Sequence, residues 1–119
     1  MVKSHRDLRV WQAGMELSVS IYKATEPYPK SEVFGLASQM RRAASSIPAN
    51  IAEGFSRQHK PEFVQFLYIA KGSLSELETF VELSERLGYL SAERASALRE
   101  QTDAVGKMLY GLIETVRKG

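Results

Sequence analysis

Apolar side chains recur along this chain in alternating steps of three and four residues, the spacing that keeps them on one face of an α-helix. The row is longest near the carboxyl terminus, where Ala95, Leu98, Thr102, Val105, Leu109, Leu112 and Val116 form a seam like that of a coiled coil. Val33, Leu36, Met40, Ala44, Ile47 and Ile51 repeat the pattern, with Ala37 beside them. Phe63, Leu67, Ala70, Leu74, Leu77 and Val81 lie in a similarly narrow sector. Nothing in the chain has the two-residue period of a half-buried strand.

Local punctuation divides the pattern into four helices. Asp7 is the expected N-cap of the first, which runs to about Glu26 before Pro27-Tyr28-Pro29 stops it. Ser31 is placed as the cap of the second, which runs to about Glu53, with Gly54 as the residue that turns left-handed just beyond it. Phe55 to His59 connect, and Pro61 opens the third helix, where a missing N–H costs nothing. That helix ends at Leu87-Gly88-Tyr89-Leu90, and Ser91 caps a fourth reaching almost to the carboxyl terminus. Helices three and four each span roughly 40 Å at about 1.5 Å per residue. So short a joint folds them back antiparallel. The expected fold is all-α: one up-down-up-down four-helix bundle covering residues 1–119, its second helix kinked near Pro48. The Pro48 kink is read either as curvature around a core or as carbonyls exposed to a ligand.

The first helix carries two apolar stripes. Leu8, Trp11, Met15, Val19 and Tyr22 make one; Val10, Leu17 and Ile21 make another, about 140° around the helix. A bundle hides one stripe per helix, so the second calls for cover from a neighbouring copy, and Val10, Leu17 and Ile21 are assigned to that oligomer interface. The second helix adds a face of mostly small residues, Ser38, Arg42, Ser45, Ser46, Ala49 and Glu53, which permits close helix approach.

Composition narrows the chemistry. With no cysteine among 119 residues, disulfides, thiolate zinc sites and thiol catalysis are excluded. No signal-peptide pattern and no run of roughly 18 apolar residues is present, which points to a cytoplasmic protein with no membrane partner. Net charge is only +2, but residues 1–60 hold nine Lys/Arg against five Asp/Glu, and residues 61–119 seven against nine. That asymmetry points weakly to nucleic acid. Neither His5 nor His59 follows a glutamate at the Glu-x-x-His spacing of a di-metal bundle. No phosphate loop or nucleophile elbow occurs, so neither an enzyme nor a cofactor is expected. One polar constellation remains: Arg41, Arg42, Ser46, Asn50 and Glu53 on the second helix, then Arg57 and Lys60 after it. Such arginines engage phosphates through charge and forked hydrogen bonds, or they form salt bridges to another subunit. Both readings stand.

Three segments carry a family resemblance: Asp7-Leu8-Arg9-Val10-Trp11-Gln12-Ala13, the block Gly35 to Gly54 with its Ser-Ile-Pro-Ala-Asn-Ile-Ala-Glu-Gly run, and Glu62 to Leu67 followed by Ala70 to Glu78. Over residues 7–115 the chain resembles the bacterial four-helix bundle proteins encoded in intervening sequences of 23S ribosomal RNA genes. The resemblance implies a homopentameric, barrel-like ring. It also implies kinship with the accessory variability protein of diversity-generating retroelements, which associates with a reverse transcriptase and with nucleic acid. Arg41, Arg42 and Asn50 match the family block and are carried over as interface or binding positions. The resulting expectation is a non-enzymatic oligomeric scaffold or adaptor in a process involving RNA or DNA; the competing one is a protein-interaction module that binds no nucleic acid.

Overall fold

The computed structural model describes all 119 residues, Met1–Gly119. Four helices carry the chain: α1 (Arg9–Thr25), α2 (Leu36–Ser56), α3 (Lys60–Arg86) and α4 (Ala92–Lys118), with single 3-10 turns at His5–Asp7 and Lys30–Glu32. Each packs on its neighbours in sequence, and α1 closes against α4. Cross-helix contacts give the direction of every pair. Thr25 meets Arg41 while Gly14 meets Pro48, and Ser46 meets Ser73 while Gly54 meets Phe66. Arg99 meets Glu82 and Glu85 while Arg117 meets Tyr68. Each pair therefore runs antiparallel, in a body of 45 × 24 × 20 Å.

The apolar rows meet on the bundle axis. Leu17, Ile21, Met40, Ile47, Ile51, Leu67, Leu77 and Leu109 are fully enclosed. Buried polar groups are satisfied locally: Thr25 Oγ1 donates to the Ile21 carbonyl at 2.8 Å and accepts from Arg41 Nε at 2.9 Å. No buried side-chain nitrogen or oxygen is left without a partner. No helix is long and apolar enough to cross a membrane.

Several helix ends differ from the sequence expectation, each for a physical reason. Asp7 does not cap α1; it closes a capping box with Ser4 around the short His5–Asp7 turn, and α1 begins after Leu8. Ser31 sits in the Lys30–Glu32 turn, and α2 starts only at Leu36, where the Glu32 carboxylate accepts the Leu36 N–H at 3.0 Å. Val33 consequently lies before the helix and is exposed. Gly54 does not terminate α2, which continues to Ser56. A β-carbon there would stand 2.7 Å from the Phe66 β-carbon and 3.0 Å from the Phe63 ring, so the glycine serves close approach of α2 to α3. Pro61 is the second residue of α3, one place later than expected. Gly88, at φ +83°, turns the chain left-handed after α3, and Ser91 Oγ accepts from the Arg94 N–H to start α4 as its spacing implied.

Helix α2 runs unbroken through Pro48, whose buried ring packs toward Gly14 of α1. The larger correction concerns α1. Val10, Leu17 and Ile21, assigned above to contacts between copies, are buried in the core of the single chain. The two stripes of α1 were equivalent in sequence; packing chose this one because it lies beside the small residue Gly14, which lets α1 settle against Ile47 and Pro48. Of the other stripe, Leu8 and Trp11 are partly buried against the core, and Met15, Val19 and Tyr22 are left outside.

Candidate functional site

The polar constellation read from sequence separates into three environments. Arg41 turns toward α1: Nε donates to Thr25 Oγ1, Nη2 donates to the Tyr22 carbonyl at 3.3 Å, and the guanidinium lies 4.8 Å from the centre of the Tyr22 ring. It is a clamp between α1 and α2. Glu53 and Arg57 pair at 2.9 Å near the end of α2, and Arg57 also approaches Glu62 and covers the Phe66 ring. Lys60 is exposed at the start of α3.

Only Arg42, Ser46 and Asn50 remain together. They line a groove of about 400 Å³ between α2 and α3, completed by Gln39 and Ala43 and, from α3, by Ile69, Ser73 and Glu76. The Ser46 and Ser73 hydroxyls meet across it, and Asn50 Nδ2 donates to the Ser46 carbonyl at 2.7 Å, while its amide oxygen accepts no hydrogen bond within the chain. Arg42 is exposed and forms no salt bridge. The α3 half of this groove was missed in sequence. Its one signal was Ser73, a small polar residue next to the core position Leu74 on a helix otherwise read by its apolar row.

A second surface adjoins the first. On the outer side of α1, Met15, Val19 and Tyr22 are 43%, 51% and 47% exposed, in a row that Arg41 borders from α2. Ser38, Ser45 and Ala49 of α2 are exposed with short side chains; Ile69 at the groove's edge, Leu83 of α3 and Leu87 just past its end are exposed too. Large apolar groups thus flank a low central strip. No three His, Asp or Glu side chains stand close enough to hold a metal ion.

A four-helix bundle with an apolar flank and a shallow polar groove defines a class of small all-α bundle proteins. Within that class, the chain belongs to the 23S rRNA-intervening sequence protein family, whose model matches residues 6–111. The fold is similar to the crystal structure of a protein of unknown function from the S23 ribosomal protein family of Bacteroides thetaiotaomicron VPI-5482. The two superpose with a TM-score of 0.81 at 26% sequence identity, over 88% of this chain and 95% of that one. No curated protein matches the chain.

Proposed function

We propose that this chain is a self-assembling, non-catalytic scaffold whose copies dock through the outer face of α1 and α2. The observation that carries the reading is the row Met15, Val19 and Tyr22, three large apolar side chains each more than two-fifths exposed on α1. Covering the remaining surface of three such groups contributes on the order of 1 kcal/mol each. That is too little alone against the cost of association, several kcal/mol or more, so the low strip of α2 and the apolar groups of α3 must join the contact. The family resemblance supports a closed ring of five. With this reading goes a cytoplasmic location, supported by the absence of cysteine.

Sedimentation at micromolar concentration tests it. The unaltered chain is expected to run as an oligomer, and Val19→Glu, which places a charge in the row without touching the core, to shift it to single chains. A single species of about 13 kDa for the unaltered chain would overturn the reading.

A second reading adds contact with RNA or DNA at the α2–α3 groove, and with it a polymerase-type protein partner such as the resemblance implies. It is favoured by Arg42 having no carboxylate partner beside the free amide oxygen of Asn50. Arg42→Ala separates the two. Intact assembly with weaker, salt-sensitive nucleic-acid binding supports a phosphate contact, whereas loss of assembly makes Arg42 a bridge between subunits.

A further inference from the structure

The topology gathers the start of α1, the α2–α3 joint and the end of α4 at one end of the bundle. The carboxylates there are already engaged. Asp7 accepts the backbone N–H groups of Lys3 and Ser4 at 2.8 and 3.2 Å. Glu53 and Glu62 are held by Arg57 and His59, and Glu114 lies between Arg117 and Lys118. Lys3, Arg6 and Arg9 have no carboxylate of their own, and Lys60 Nζ lies beside Gly119 at the end of α4, so this end carries positive charge that the modest net charge conceals.

Between the amino-terminal segment and the α2–α3 joint lies an open pocket of about 420 Å³. Lys3 and Lys60 line it together with Gln58 and His59, and Val2, Phe55 and Phe63 form its apolar part. The two rings are half-buried and perpendicular, with centroids 5.9 Å apart. Cations and aromatic rings lining one pocket match a ligand that carries a phosphate and a flat base together. The Gln58 side chain adds a donor and an acceptor that meet no partner in the chain, the groups needed to read a base edge. Glu62, next to this pocket, lies 3.3 Å from His59 Nδ1 and 3.9 Å from Arg57 Nη1.

We propose that this pocket binds a nucleotide, its phosphate between Lys3 and Lys60 and its base against Phe55 and Phe63. The ligand is either a free nucleotide or the phosphorylated end of a strand. One chain builds the whole pocket, so the inference stands apart from the assembly reading and from the groove at Arg42.

Calorimetry on the full-length protein in low salt tests it with three probes: AMP, a 5′-phosphorylated oligothymidylate, and inorganic phosphate. Binding of AMP or the oligonucleotide, at least tenfold tighter than inorganic phosphate, is expected. Preference between the first two identifies the source. The double variant Lys3→Gln/Lys60→Gln should weaken that binding at least tenfold, and Arg42→Ala should leave it unchanged. Phe55→Leu, which keeps an apolar side chain, should lower affinity for the base-bearing probes and spare inorganic phosphate. Circular dichroism confirms that each variant keeps its helix content. Absence of binding by either base-bearing probe, equal affinity for inorganic phosphate, or indifference to the double lysine change would each overturn the proposal.

Discussion

Individual residues in this protein act through the space they leave as much as through the contacts they make. Gly54 is the clearest case, since α2 and α3 approach so closely there that a β-carbon meets both Phe63 and Phe66. Gly54→Ala, ordinarily favourable within a helix, should therefore destabilise the chain by about 1–3 kcal/mol, read as a lower urea midpoint. Gln58 presents the opposite situation. It is the one non-glycine residue with a left-handed backbone, at φ +55°, and the joint between α2 and α3 holds it there. Gln58→Gly relieves that strain and should raise stability by about 0.5–1 kcal/mol in the same measurement. Neither effect could be read from residue type. In sequence, Gly54 looked like a helix terminator and Gln58 like an ordinary connector.

Among the elements, α3 and α4 are pinned most directly. Arg99 of α4 reaches two carboxylates on successive turns of α3, Glu82 at 2.9 Å and Glu85 more closely, while Arg86 takes the other oxygen of Glu82. Hydrogen bonds from Arg86, then from Arg99, hold the Glu82 carboxyl below its ordinary pKa. A carboxylate whose pKa is lower in the folded chain adds stability above its unfolded pKa and loses it as pH falls through the folded value. The melting temperature should accordingly decline as pH drops below about 4.3, the ordinary glutamate value. Arg99→Gln should shrink that decline, as followed by thermal melts across the acid range. The pair is exposed, so the effect should fade with added salt. In the joint between these two helices, Tyr89 donates to Glu32 at 3.0 Å, and that bond raises the phenol's pKa. It also fixes the turn that starts α2. The sequence placed this start at Ser31 because hydroxyl caps are recognised locally, whereas Glu32 caps Leu36 through one oxygen and accepts from Tyr89, 57 residues away, through the other.

For the whole molecule, assembly should appear in stability as well as in mass. If copies cover Met15, Val19 and Tyr22, the melting temperature should rise with protein concentration, because only the folded form associates. Val19→Glu should abolish that dependence while leaving a dilute sample nearly unaffected, since the side chain is half outside the core.

The sequence by itself determined the number of helices, their antiparallel order and most of the core, because helical periodicity and proline or glycine punctuation are local properties. It also carried the family, through the run from Ser46 to Gly54. Which stripe of α1 faces inward was left to the tertiary structure. Both stripes have helical spacing and comparable apolarity, and the choice depends on how closely Gly14 lets α1 approach Ile47 and Pro48. The polar constellation divided for the same reason: Arg41 and Arg42 are adjacent in sequence but about 100° apart around α2, so one clamps α1 and the other faces the α3 groove. The basic end of the bundle likewise exists only once folding sets Lys3 beside Lys60, since charge in sequence records sign and order but not which carboxylates are already engaged.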